Sequence, residues 1–132
     1  MNYVEALREF QKAVFVKSGH WPADIGQTFI VNNETARLRE FLHNEEAAEL
    51  NDVLIGSDDD TSKAHLLKEI CDLLYVVFGT AVSYGIPIDE VFSEVHRSNM
   101  SKSMDKNEIG KTVKGESYSP PNIRPILFPT EV

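Results

Sequence analysis

Residues 40–50 read EFLHNEEAAEL, and where their carboxylates point decides how the chain folds. Glu45, Glu46 and Glu49 fall within five positions of one helical pattern. On a wheel of about 100° per residue, Leu38, Leu42, Glu45, Glu49 and Val53 lie within roughly 80° of one another, with Glu46 near the edge of that arc. The acidic residues continue the apolar stripe and do not oppose it. A solvated face is the commoner fate of a single E-x-x-E, but a solvated face points away from the leucines.

The anomaly recurs after nineteen intervening residues, where Glu69 and Asp72 stand at i, i+3 on a second helical pattern. Leu66, Glu69, Leu73, Val76 and Thr80 share one face, with Asp72 beside them. From Ile70 to Val82 this segment is apolar nearly all round, as expected of a central helix or of one at a subunit interface. Two antiparallel helices built this way bring about five carboxylates together, which is unstable unless they are protonated or neutralised. Oxygen-only ligands match a hard cation, Mg²⁺ or Mn²⁺, better than zinc.

Working outward, a first helix is predicted over about 2–17, with Tyr3, Leu7, Phe10 and Val14 on one stripe. Gly19 and Pro22 break it. The acidic helix should run over about 35–54, capped by Asn32 or Asn33. Its partner should run over about 62–84, capped by Asp60 or Thr61 and closed by Gly85. A fourth helix fits residues 87–100. Residues 103–132 hold two glycines and four prolines and read as an extended, irregular tail. No alternation supports a sheet. The expectation is one all-α domain over 1–132, a four- to five-helix bundle with its helical core over about 2–101.

A chain of 132 residues is long enough for its own core, and its net charge of −8 argues against binding a nucleic-acid polymer. The lone Cys71 forms no internal disulfide, so a reducing, cytoplasmic setting is expected. The N-terminus carries no apolar signal region, and the longest apolar run, residues 73–82, is too short to span a membrane.

The pattern E-E-x-x-E followed by E-x-x-D resembles the MazG-like and phosphoribosyl-ATP pyrophosphohydrolase-like group of all-α nucleoside triphosphate pyrophosphatases. RLREFLHNEEAAEL is similar to its first motif, with Arg39 in the arginine position, and EICDLLYVVFGTAVSYGI to its second. VFSEVHRSNMSK resembles the N-x-x-K element, carried by Asn99 and Lys102, and GKTVKGESYSPPNI the tail that follows. The resemblance covers roughly residues 1–127. It implies hydrolysis of a nucleoside triphosphate to monophosphate and pyrophosphate with Mg²⁺, Mn²⁺ being a possible substitute. It also implies a homodimer or dimer of dimers, and house-cleaning of a deoxynucleotide such as dUTP or dCTP. Phosphoribosyl-ATP is disfavoured as substrate by the long N-terminal helix and loop.

On that resemblance Glu46, Glu49, Glu69 and Asp72 hold the metal, and Glu45 orients or deprotonates the attacking water or adds a ligand; sequence leaves the roles of Glu45 and Glu46 unseparated. Arg39 and Lys102 face the phosphates, Asn99 binds substrate or fixes its loop, and Lys111 and Lys114 either close over the triphosphate or are merely solvated. Trp21, His20 and Tyr118 stack on the base or pack in the core. Cys71 is expected in packing, His43 and Glu40 in solvent, and Asp58–Asp60 in a solvated cap. A carboxylate-bridged di-iron or di-manganese bundle wants two E-x-x-H pairs, and only Glu40–His43 exists, out of phase. A non-catalytic regulatory or interaction domain is opposed by the complete acidic set and Lys102.

Overall fold

The computed structural model describes residues 1–18, 33–56 and 58–128. The chain is all-α and divides into two compact units, Met1–Ile86 and Pro87–Val132. No single helix among the described residues is long and apolar enough to cross a membrane.

The first unit holds α1 (Tyr3–Ser18), α2 (Asn33–Val53) and α3 (Asp60–Ser83). α3 is the element on which the other two pack. Its start is set by Asp59, whose Oδ1 accepts from Ser62 N at 2.8 Å and whose Oδ2 accepts from Ser62 Oγ at 3.0 Å. The cap therefore lies one residue before the expected Asp60. These bonds hold the Asp59 carboxyl below its ordinary value. Its end is the predicted Gly85, at φ 65°, where Gly85 N donates to Val82 O and Ile86 N to Ala81 O. That pair of bonds closes the last carbonyls of the helix.

α1 meets α3 through Val4 and Leu7 against a core that includes Ala81 and Val82. Tyr3 stacks on Phe78 at 5.8 Å and Phe10 meets Tyr75 edge-on at 5.3 Å. Gln11 is buried and donates from Nε2 to Gly79 O at 3.0 Å. Of the expected stripe of Tyr3, Leu7, Phe10 and Val14, Leu7 is buried, Tyr3 and Phe10 set their rings against α3 while staying partly exposed, and Val14 is exposed. Among the described side chains of α1 the buried ones are Val4, Leu7 and Gln11.

α2 lies antiparallel to α3. Arg39, Leu42, His43, Glu46, Leu50 and Val53 are half-buried, while Leu38, Glu45 and Glu49 are exposed. This side sits roughly 70° round the wheel from the predicted stripe. The reason is a polar fastening that the hydrophobic pattern does not encode. Arg39 Nε donates to Thr80 Oγ1 at 2.9 Å and Nη2 to Val76 O at 2.7 Å. His43 Nε2 lies 2.6 Å from Thr80 Oγ1, so His43, expected in solvent, is part of the seam. Gly79 makes the fastening possible, since a methyl there would stand 2.8 Å from Arg39 Nη2. Glu40 is exposed as expected, and Cys71, expected in packing, is exposed too.

The second unit holds α4 (Ile88–Met100) and the one-turn α5 (Arg124–Leu127), which falls inside the segment expected to be irregular. The rest of that segment is tied down by side chains. Arg97 Nη1 donates to Ser119 Oγ and Nη2 to Pro120 O, each at 3.1 Å, while Nη2 also meets Glu94 at 2.7 Å. Glu94 Oε1 accepts from Asn122 N at 2.9 Å. Ser101 Oγ accepts from Ser119 N at 2.8 Å. Between these ties a bridge pairs Lys106 with Thr112 around Gly110, at φ 84°.

Candidate metal centre

Because α2 and α3 run antiparallel, an E-x-x-E on one and an E-x-x-D on the other meet at the same level. One oxygen from each of Glu46, Glu49, Glu69 and Asp72 lies within 4.8 Å of the others. Glu69 is 3% exposed, Glu46 and Asp72 are half-buried, and Glu49 is open to solvent. Such crowding raises the free energy of each charge. Burial, then the neighbouring Glu49, Asp72 and Glu45 carboxylates, push the Glu46 carboxyl above its ordinary value.

Glu46 Oε2 and Glu69 Oε2 are buried and have no hydrogen-bond partner among the described residues. Buried acceptors of this kind cost about 1–3 kcal/mol each when left unmade, more when charged. Two orphaned oxygens on facing helices, in a set made only of carboxylates, fit a hard divalent cation.

Two nitrogen-bearing side chains in the cluster, the Lys68 ammonium and the His65 imidazole, escaped the sequence reading. Lys68 Nζ lies 2.9 Å from Asp72 Oδ2 and 3.3 Å from Glu69 Oε1. His65 Nε2 lies 3.2 Å from the same Glu69 Oε1. The Asp72 and Glu69 carboxylates raise the Lys68 ammonium further above neutrality. Their signal was in the spacing: His65 is i−4 from Glu69 and Lys68 is i−4 from Asp72.

Glu45 is exposed and outside the set of four, although its charge is felt at Glu46. Arg39, expected at the phosphates, has its Nε and Nη2 donors turned onto α3, and burial lowers its basicity. Among the described residues no carboxylate pairs with it. Asn99, Lys102 and Lys111 belong to the second unit, where Lys102 is half-buried and the other two are exposed. Lys114 lies over the Tyr118 ring at 5.0 Å. Trp21 and His20 lie outside the described residues.

Residues 7–99 match the family model described as phosphoribosyl-ATP pyrophosphohydrolase. Comparison with curated proteins gives no match. The matched stretch contains both acidic motifs, all the residues of the carboxylate cluster and more than half of the chain. The chain accordingly belongs to the phosphoribosyl-ATP pyrophosphohydrolase family, a group of metal-dependent, all-α pyrophosphohydrolases.

Proposed function

We propose that this protein is a Mg²⁺-dependent nucleoside triphosphate pyrophosphohydrolase, converting a (deoxy)nucleoside triphosphate and water to the monophosphate and pyrophosphate. The observation that carries this reading is the pair of buried, unpartnered oxygens on Glu46 and Glu69 inside a four-carboxylate cluster. Mn²⁺ is the natural substitute ion. Glu46, Glu49, Glu69 and Asp72 hold the metal. When bound, it neutralises the polyphosphate and lowers the pKa of a water.

The chain's own residues supply the rest. Glu45 orients or deprotonates water or adds a metal ligand in this proposal, its role not separated from that of Glu46. Asn99, Lys102 and Lys111 provide a hydrogen-bonding amide and two ammonium groups for the substrate. Arg39 acts by fastening α2 to α3, keeping the carboxylates crowded. Trp21 remains the proposed stacking partner of the base. The substrate is proposed to be a deoxynucleotide such as dUTP or dCTP, and the role house-cleaning of the cytoplasmic pool.

A homodimer or dimer of dimers is the proposed assembly. Leu67, Ile70, Leu74 and Val77 recur at i, i+3, i+7, i+10 on α3 and are all exposed, as are Leu38 and Phe41 on α2. An apolar stripe of that spacing is a helix-pairing surface. Light scattering on the purified protein tests this assembly.

One assay addresses the reaction. A panel of ribo- and deoxynucleoside triphosphates is incubated with Mg²⁺, and monophosphate plus pyrophosphate is resolved from diphosphate plus phosphate. Pyrophosphate release from at least one deoxynucleotide, abolished by EDTA, is expected. No pyrophosphate from any nucleotide, with Mg²⁺ or Mn²⁺, would overturn the reading.

A further inference from the structure

The metal reading leaves one cation of the cluster without a role. Lys68 Nζ spans Asp72 Oδ2 and Glu69 Oε1, at 2.9 and 3.3 Å, so a single ammonium bridges two of the four carboxylates. Both belong to the set whose oxygens converge within 4.8 Å. A divalent ion bound to this set draws on the same lone pairs, at about 2.0–2.6 Å from oxygen. Two cations on one carboxylate edge repel each other, and each weakens what the other gains.

The rest of the cluster shows why the ammonium is tolerated. Glu69 is nine-tenths buried, and its Oε1 carries both Lys68 and His65, whereas its Oε2 has no partner. The partial neutralisation lies along one edge. Glu46, on the opposite helix, meets neither Lys68 nor His65 among the described contacts; burial and its acidic neighbours push its carboxyl up. Lys68 itself is anchored only at its tip, and its side chain is 65% exposed. A long, flexible stem in water can swing clear at little cost. The side chain is thus placed to occupy the carboxylates and free to leave them.

We propose that Lys68 is a displaceable internal counter-ion of the metal centre: it bridges Glu69 and Asp72 in the metal-free protein and is expelled when the divalent cation binds. This rests on the metal reading of the cluster. It gives Lys68 two opposed consequences. It steadies the metal-free fold by offsetting carboxylate repulsion, and it lowers the affinity for the ion that replaces it.

The test is calorimetric titration of MnCl₂, without nucleotide, into the wild-type chain, Lys68→Met, Lys68→Arg and Glu49→Gln, with thermal unfolding in EDTA and in saturating Mn²⁺. Met keeps the helix-favouring stem and removes the charge. Lys68→Met should bind Mn²⁺ about three- to tenfold more tightly than wild type. It should also unfold at lower temperature in EDTA and gain more from Mn²⁺, while Lys68→Arg should stay close to wild type. If wild type binds Mn²⁺, Glu49→Gln does not, and Lys68→Met binds no more tightly than wild type, the metal reading stands and the role of Lys68 falls. Unchanged Mn²⁺ affinity in Lys68→Met with a raised KM for nucleotide would make it a phosphate ligand and would likewise overturn the proposal. If wild type binds no Mn²⁺, both fall together.

Discussion

Glu46 and Glu94 are both helical glutamates, and the protein treats them in opposite ways. Glu94 is answered: the Arg97 guanidinium, then the Asn122 amide, bring its carboxyl down to about 2. Glu46 is provoked: burial comes first, then the charges of Glu49, Asp72 and Glu45, and its Oε2 has no partner. The first carboxylate completes a structure: it accepts from Asn122 N and pairs with Arg97, whose own donors tie Ser119 and Pro120 to α4. The second makes folding harder and repays nothing in the chain itself. A charge that folding leaves unanswered in a seam is evidence of something that arrives later.

The largest effect is expected where that contrast is removed. Glu46→Gln or Glu49→Gln should cut Mg²⁺-dependent pyrophosphate release by more than about a hundredfold, since even removing a group behind a metal ligand costs 10–100-fold. Helical content by circular dichroism should persist, and Glu46→Gln should melt higher than wild type in EDTA. Full activity in either variant would break the site assignment.

A smaller effect is expected from the fastening that enforces the crowding. Gly79→Ala places a methyl against Arg39 Nη2, which must give up Val76 O to make room. The expected cost is about 1–2 kcal/mol in urea unfolding. A wild-type midpoint would show that Arg39 moves without loss and does not hold the seam.

The smallest effect separates the two glutamates by pH, with opposite signs. Glu94 sits below its ordinary 4.5, so its contribution is complete above that value and is lost as pH falls through about 2. Protection of the Asn122 amide, which donates to Glu94 Oε1, should therefore weaken only below pH 4.5. Glu46 is raised, so its ionised form opposes folding near neutrality. That penalty is relieved as pH falls through the raised value toward the ordinary 4.5. The three-helix unit in EDTA should gain stability on mild acidification. Hydrogen exchange across pH, corrected for intrinsic rates, checks both; the same sign in both regions would end the distinction.

Much of the site was legible because carboxylates at i, i+3 and i, i+4 face together on any helix, whatever it packs against. The spacing of Glu46, Glu49, Glu69 and Asp72 required only that two helices run antiparallel. The phase of the helices was less legible. The wheel centred α2 on Leu38, Glu45 and Glu49, whereas the folded seam centres on Arg39, Glu46 and Leu50. Hydrophobic periodicity reports all apolar surface, and part of that surface, from Leu38 and Phe41 to Leu67 and Leu74, stays exposed in the single chain. Likewise His43 reads as polar and solvated until Thr80 is set beside it.

By itself, then, the amino-acid sequence determined the four long helices, the stop at Gly85 and the spacing of carboxylates within each acidic motif. These depend on neighbours within one or two turns. Only the tertiary structure decided which carboxylate oxygens go unanswered, which cation bridges Glu69 and Asp72, and that Arg39 grips α3. Those outcomes depend on which atoms of a distant segment arrive within about 3 Å, and hydrogen-bonding and ion-pair energies vanish over distances that periodicity cannot resolve.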